Sequence, residues 1–185
     1  MRNKALFFLF ILLLASAALA AQPPPINSYA SAGTSSLATV GDAYCVRGSA
    51  TATINITAFN VSAIAGGGSA ETISLVRRSS ADVGAGTPVV ASVYDPTSPP
   101  ATATATVYNT APTAGTLVGT IRSDILMVGN QSGSPAFITH RFQWDYNHPL
   151  ILRGVSDFLC LNFSSPVGNN AQIVISHEHT EFPLP

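Results

Sequence analysis

Lysine occurs only at position 4, tryptophan only at 144 and cysteine only at 45 and 160 in this chain of 185 residues. Charged side chains make up 9% of it, where an average soluble domain carries about 25%. With so little positive charge there is no basic surface to neutralise phosphates, which excludes a nucleic-acid binder. The apolar share of 46% excludes intrinsic disorder, which needs low hydrophobicity and high charge. Ser, Thr, Asn and Gln must therefore solvate the surface. At this length one domain is expected, with room for a tail.

The first 21 residues read as a leader. Arg2 and Lys4 precede an apolar run over 5–14, small residues fill 15–21, and Gln22-Pro23-Pro24-Pro25 follows. That order is the three-part pattern of a secretory signal, with cleavage expected after Ala20 or Ala21. The alternative, a retained anchor, would be at the lower length limit for a spanning helix. Removal of 1–21 leaves six arginines (Arg47, Arg77, Arg78, Arg122, Arg141, Arg153) against nine acidic groups, a net charge of −3 and no lysine. No membrane span is then expected, and the product is secreted or extracytoplasmic, in a periplasm or at a cell surface. In such a compartment Cys45 and Cys160 read first as one disulfide; the alternative is two buried thiols in adjacent strands.

Beyond the leader the pattern is that of strands. Residues 22–39 read as a Pro/Ser-rich extended arm and 40–185 as the folded domain. Candidate strands are 42–47, 50–63, 71–78, 87–93, 101–108, 116–121, 136–144, 150–153, 158–163 and 171–177, separated by Gly, Pro, Ser and Asn clusters such as Gly66-Gly67-Gly68 and Asp95-Pro96-Thr97-Ser98-Pro99-Pro100. Gly supplies positive φ and Pro withholds a ladder donor, so these clusters punctuate. Ala101, Ala103, Ala105 and Val107 alternate with Thr102, Thr104, Thr106 and Tyr108, one face apolar and one hydroxylated, as a half-buried strand requires. Residues 158–163 are nearly all apolar and fit a strand covered on both sides. No window shows helical periodicity after the leader. Eight to ten short antiparallel strands without helices predict an all-β sandwich, jelly-roll-like in strand count. An immunoglobulin-like sandwich fits less well, because Trp144 lies near the second cysteine rather than the first.

Few residues carry a chemical signal. His177 and His179 would share one face of a strand with Glu181, a pattern able to hold a divalent metal and similar to part of a cupin motif; the companion motif is missing, and the alternative is a soluble, polar edge strand. Phe142, Trp144 and Tyr146 would share a face, either a sugar-stacking platform or core. Serine appears in no Gly-x-Ser-x-Gly elbow, and Asp82, Asp95, Asp124, Asp145 and Asp157 are scattered singly. Asn55, Asn60, Asn130 and Asn162 each start an N-glycan acceptor triplet. No cofactor, catalytic residue or metal site is expected from these patterns, and no enzyme.

The order of a strand ending in an Arg pair (71–78), a Gly/Thr/Pro loop, an Asp95-Pro96 turn, an Ala-rich strand, Phe142-Gln143-Trp144-Asp145, Leu150-Ile151-Leu152-Arg153-Gly154 and an acidic end at 177–181 resembles small β-sandwich structural proteins of tailed phages and prophages. The resemblance spans about 70–181 and implies a particle-associated sandwich with no catalytic residues to carry over; the leader departs from that family. The function expected is an exported, non-enzymatic structural or surface-assembly subunit that self-associates or joins other surface or particle proteins. The other reading is a secreted carbohydrate-binding or adhesin-type module, with a glycan on Trp144 or Tyr146.

Overall fold

The computed structural model describes residues 26–37, 39–65, 69–130, 139–145, 148–164 and 172–184. The expected leader and Tyr146 lie outside these. Twelve strands run in chain order: β1 Asn27–Ser35, β2 Gly41–Arg47, β3 Ala52–Ala65, β4 Ser69–Arg78, β5 Gly86–Val89, β6 Ser92–Val93, β7 Thr104–Tyr108, β8 Leu117–Asn130, β9 Thr139–Gln143, β10 Leu150–Arg153, β11 Phe158–Phe163 and β12 Gln172–Pro183. No helix occurs among the described residues. The protein is a β-sandwich. One layer has the order β6-β1-β12-β3, with β10 and β9 in succession along the far edge of β3; the other is β5-β7-β2-β11-β4-β8. At its end β8 pairs in parallel with the end of β3, Gly129 beside Ile64. All other strand pairs are antiparallel.

Two departures from the expected strand list have simple causes. Half of the expected arm is β1, a full member of its layer, paired with β12 from Asn27–Glu181 to Ser35–Ile173. Tyr29, Ser31 and Ser35 point inward and are buried, so a Ser/Ala-rich stretch alternates without looking apolar. The expected strand 87–93 divides because its halves serve different layers: β5 pairs with β7, and β6 pairs with β1.

Inward side chains form one continuous core containing Tyr44, Ile54, Phe59, Leu75, Leu126, Phe142, Leu161 and Phe163. At about 25 cal/mol per Å² of apolar area, burial on this scale is the dominant stabilising term. In β7 the expected alternation holds, with Ala105 and Val107 inside and Thr104 outside. In β3 a bulge at Thr57 moves the inward set from Ile54 and Ile56 to Phe59, Val61 and Ala63, since one extra residue reverses the side of everything after it. The Trp144 N–H donates to the Thr57 carbonyl at that bulge (3.1 Å). β11 is central, between β2 and β4. Its outer face is buried as well, where Phe158 and Cys160 join Cys45, Val76 and Tyr108 in a second apolar cluster. Loops 79–85 and 109–116 meet in a Val83–Thr113 bridge beside this outer face.

Candidate functional site

Three places concentrate chemistry. The first is inside the sandwich. A period of two places His177, His179 and Glu181 of β12 on one face, and all three are buried between the layers. Because β1 pairs on its other side, β12 is an interior strand; the expected soluble edge is therefore corrected to a buried polar row. The rings stack in a column, Tyr29 on His179 (5.2 Å between centroids), His179 on His177 (5.0 Å) and His177 on Phe59 (6.3 Å). From the opposite layer Tyr44 brings its hydroxyl to 2.9 Å from His177 Nδ1 and 3.1 Å from Ser31 Oγ. The Glu181 carboxylate accepts from Thr102 N–H (2.8 Å), Thr102 Oγ1 (2.7 Å) and Ala103 N–H (2.8 Å), with His179 Nε2 at 3.3 Å.

Electrostatics follow from that geometry. Burial, and then the neighbouring His179, holds the His177 imidazole well below its ordinary pKa. Burial alone would raise Glu181, but the bonds from His179, Ala103 and Thr102 outweigh it and its pKa is lowered. An imidazole ligates a metal in its ring plane. Two rings stacked within 22° of parallel do not turn their free nitrogens to a common point, and Glu181 is already occupied by four donors. The three residues share a face as expected, but their arrangement is a structural network.

The second place is the outer face of β2, β4 and β11. Cys45 and Cys160 stand directly opposite each other on β2 and β11 and are disulfide-bonded, within one layer rather than across the sandwich. Beside them Arg78 makes a two-pronged pair with Asp42 (Nε to Oδ2 2.5 Å, Nη2 to Oδ1 2.9 Å), and Asn162 Nδ2 donates to Asp42 Oδ1. Gly115 closes the ring: its carbonyl accepts from Arg78 Nη1 and its N–H donates to Asp82 Oδ1. Asp82 Oδ2 lies 3.2 Å from Cys45 Sγ. A disulfide sulfur has no proton to give, so this contact is favourable when the carboxyl carries one. Burial raises the Asp82 pKa most, the Gly115 N–H offsets part of that, the Asp42 charge adds to it, and the carboxyl is pushed up to about 6. Among the described residues, Asp42, Cys45, Asp82 and Cys160 are the group whose atoms lie close enough to share a cation; with both sulfurs in the disulfide and Asp42 held by Arg78, the oxidised protein offers no thiolate there. A cavity of about 280 Å³ opens beside the disulfide, walled by Tyr108 and Phe158 with Thr104, Thr106, Asp82 and Arg47 around it. Arg47 sits over the Phe158 ring at 5.8 Å, and burial, then the Asp82 and Asp42 charges, pushes the Tyr108 phenol up to about 12.

The third place is β8. It pairs with β4 along its length, and its second edge meets β3 only at Gly129 and Asn130, so 117–128 have no strand on that side among the described residues. Leu117, Val118, Ile121, Ile125 and Met127 are exposed there. Such a concentration on an unpaired edge contrasts with the usual scatter of exposed apolar residues.

Of the aromatic platform, Phe142 is fully buried and Trp144 packs partly buried against the core; Tyr146 lies outside the described residues. Sequence reading missed Asp42, Arg78 and Asn162. A signal was present in Arg77-Arg78: neighbours on a strand point to opposite faces. Arg77 pairs with Asp157 and bonds the Ile151 carbonyl of the other layer, while Arg78 turns to the outer face. No family model matches the chain, and no curated protein or solved structure matches it either.

Proposed function

We propose that the chain is an exported, non-enzymatic β-sandwich subunit with a structural or surface-assembly role, at a cell surface or in a virion-like particle. The observation that carries this reading is the long edge of β8, rich in exposed apolar residues and unpaired over 117–128 among the described residues. Two others agree with it. The Cys45–Cys160 bond is compatible with an oxidising, extracytoplasmic compartment, and no described helix is long and apolar enough to cross a membrane. Light scattering on the purified protein across a concentration series tests the reading. Concentration-dependent assembly, lost in Ile125→Lys/Met127→Lys, is expected; a monomer at every concentration overturns it.

A secreted carbohydrate-binding or adhesin-type module is the second reading. What favours it is the cavity beside the disulfide, where the Thr104 and Thr106 hydroxyls offer hydrogen bonds above the buried Tyr108 and Phe158. Trp144, packed on the core, takes no part. Glycan-array binding abolished by Phe158→Ala, with folding intact by circular dichroism, would favour this reading; no binding to any glycan would remove it.

A further inference from the structure

The free edge of β8 is complementary to itself. From Ile121 to Ile125 it reads Ile-Arg-Ser-Asp-Ile, with a cation and an anion placed symmetrically about Ser123 and an isoleucine beyond each. We infer that two copies of this chain join edge to edge through β8, antiparallel, about a twofold axis at Ser123. In that register Arg122 faces Asp124 of the second copy, Asp124 faces its Arg122, Ile121 faces its Ile125, and Ser123 faces its own counterpart.

The side-chain faces agree with this pairing. Opposite residues of an antiparallel pair lie on the same face of a sheet. Arg122 and Asp124 both turn toward the gap between the layers, Arg122 over the Phe142 ring at 6.0 Å and Asp124 Oδ2 at 3.2 Å from His140 Nε2. Ile125 and Ser123 turn the other way, opposite Thr72 and Ser74 of β4, and Ile125 is 59% exposed. The charged pairs thus meet along one face and the isoleucines along the other. No other centre of symmetry on this edge sets Arg122 against Asp124. A shift by one residue toward Asp124 puts that carboxylate against itself, and a shift by two puts it opposite a leucine. The bulges of β8 against β4 fall at Ile121 and Val118, so regular pairing about the axis ends at the Ile121–Ile125 rungs, beyond which the strand bends away. The result is an isologous, closed dimer in which each copy uses up its own edge, continuing the layer β5-β7-β2-β11-β4-β8 through the axis.

This inference rests on the surface-assembly reading and adds its partner and register. Ser123→Cys tests it: in the full-length protein, mild oxidation should give a covalent dimer on non-reducing electrophoresis, whereas Ile125→Cys alone should not, since it faces position 121. Light scattering supplies the second arm. Arg122→Asp and Asp124→Arg should each weaken the dimer about tenfold or more by setting like charges opposite one another. Combining them restores complementarity and should restore the dimer, a recovery that damage to the fold would not produce. Absence of the Ser123→Cys dimer in a protein folded by circular dichroism, or failure of the double exchange to recover association, overturns the register. If assembly persists in those variants, the surface-assembly reading stands while the register falls; a monomeric wild type at every concentration removes both.

Discussion

Tyr44 of one layer and His177 of the other meet in the middle of the sandwich, hydroxyl to Nδ1, at 2.9 Å. The contact ties the layers through a polar bond in the buried interior, where an unsatisfied group costs about 1–3 kcal/mol. Tyr44→Phe removes the partner of His177 Nδ1 and of Ser31 Oγ while leaving the ring, and is expected to destabilise the fold by about 1–3 kcal/mol in urea unfolding.

The same histidine sets an acid limit. Tyr44, Phe59 and His179 surround it, with Glu181 beyond His179. Its pKa in the fold is well below the ordinary 6.5, so the unfolded chain takes up a proton that the folded chain resists. Stability from this group is present above pH 6.5 and declines as the pH falls below it. Between pH 7 and pH 5 the melting temperature of the parent should fall relative to that of His177→Phe, which lacks this group.

Asp82 acts with the opposite sign. Its carboxyl, at about 6 in the fold against 3.8 as a free group, keeps a proton that the unfolded chain releases. Its contribution is complete below pH 3.8 and is lost as the pH rises through about 6. Asp82→Asn should remove this rise-dependent loss and leave the protein about 2 kcal/mol more stable at pH 8 than the parent, relative to pH 4. Denaturant titrations at the two pH values check it.

Glu181 fastens the approach to β7 onto β12, because its carboxylate receives the backbone N–H groups of both Thr102 and Ala103. Glu181→Gln places a donor where donors already point and should cost about 2–3 kcal/mol. Hydrogen exchange should speed up at Thr102 and Ala103 before it does in β11.

Reduction of Cys45–Cys160, which lie 115 residues apart in sequence, should lower stability by about 5 kcal/mol on the chain-entropy account. A calorimetric scan with and without a dithiol reductant should read that as a fall of roughly 10 °C.

The fold was legible where apolar alternation is strong. Ala103, Ala105 and Val107 announce β7, and the unbroken run of β11 announces a strand covered on both faces. It was hidden where polar residues occupy inward positions. β1 turns Ser31 and Ser35 inward, and β12 continues past residue 177 with His179 and Glu181 inside, so the inner face lost its apolar signature. The expected strand 116–121 stops short of β8, whose Arg122 and Asp124 occupy inward positions without an apolar signature; the Phe142 and His140 of β9 that they meet are encoded by no local pattern. The disulfide pair was foreseen from compartment and count. Its carboxylate neighbours were not, since Asp42 and Asp82 meet only once loops 79–85 and 109–116 fold beside β2.

The pairing of Asn27 with Glu181 brings the start of the first strand and the end of the last to one pole, side by side on neighbouring rungs of the same ladder. Tension applied between the two ends would peel β1 from β12 rung by rung, a geometry that yields at low force, whereas pulling on either end against the body would load many rungs at once. A tether or reporter attached at Asn27 or at Pro183 would emerge at that pole and leave the far end of the sandwich unobstructed.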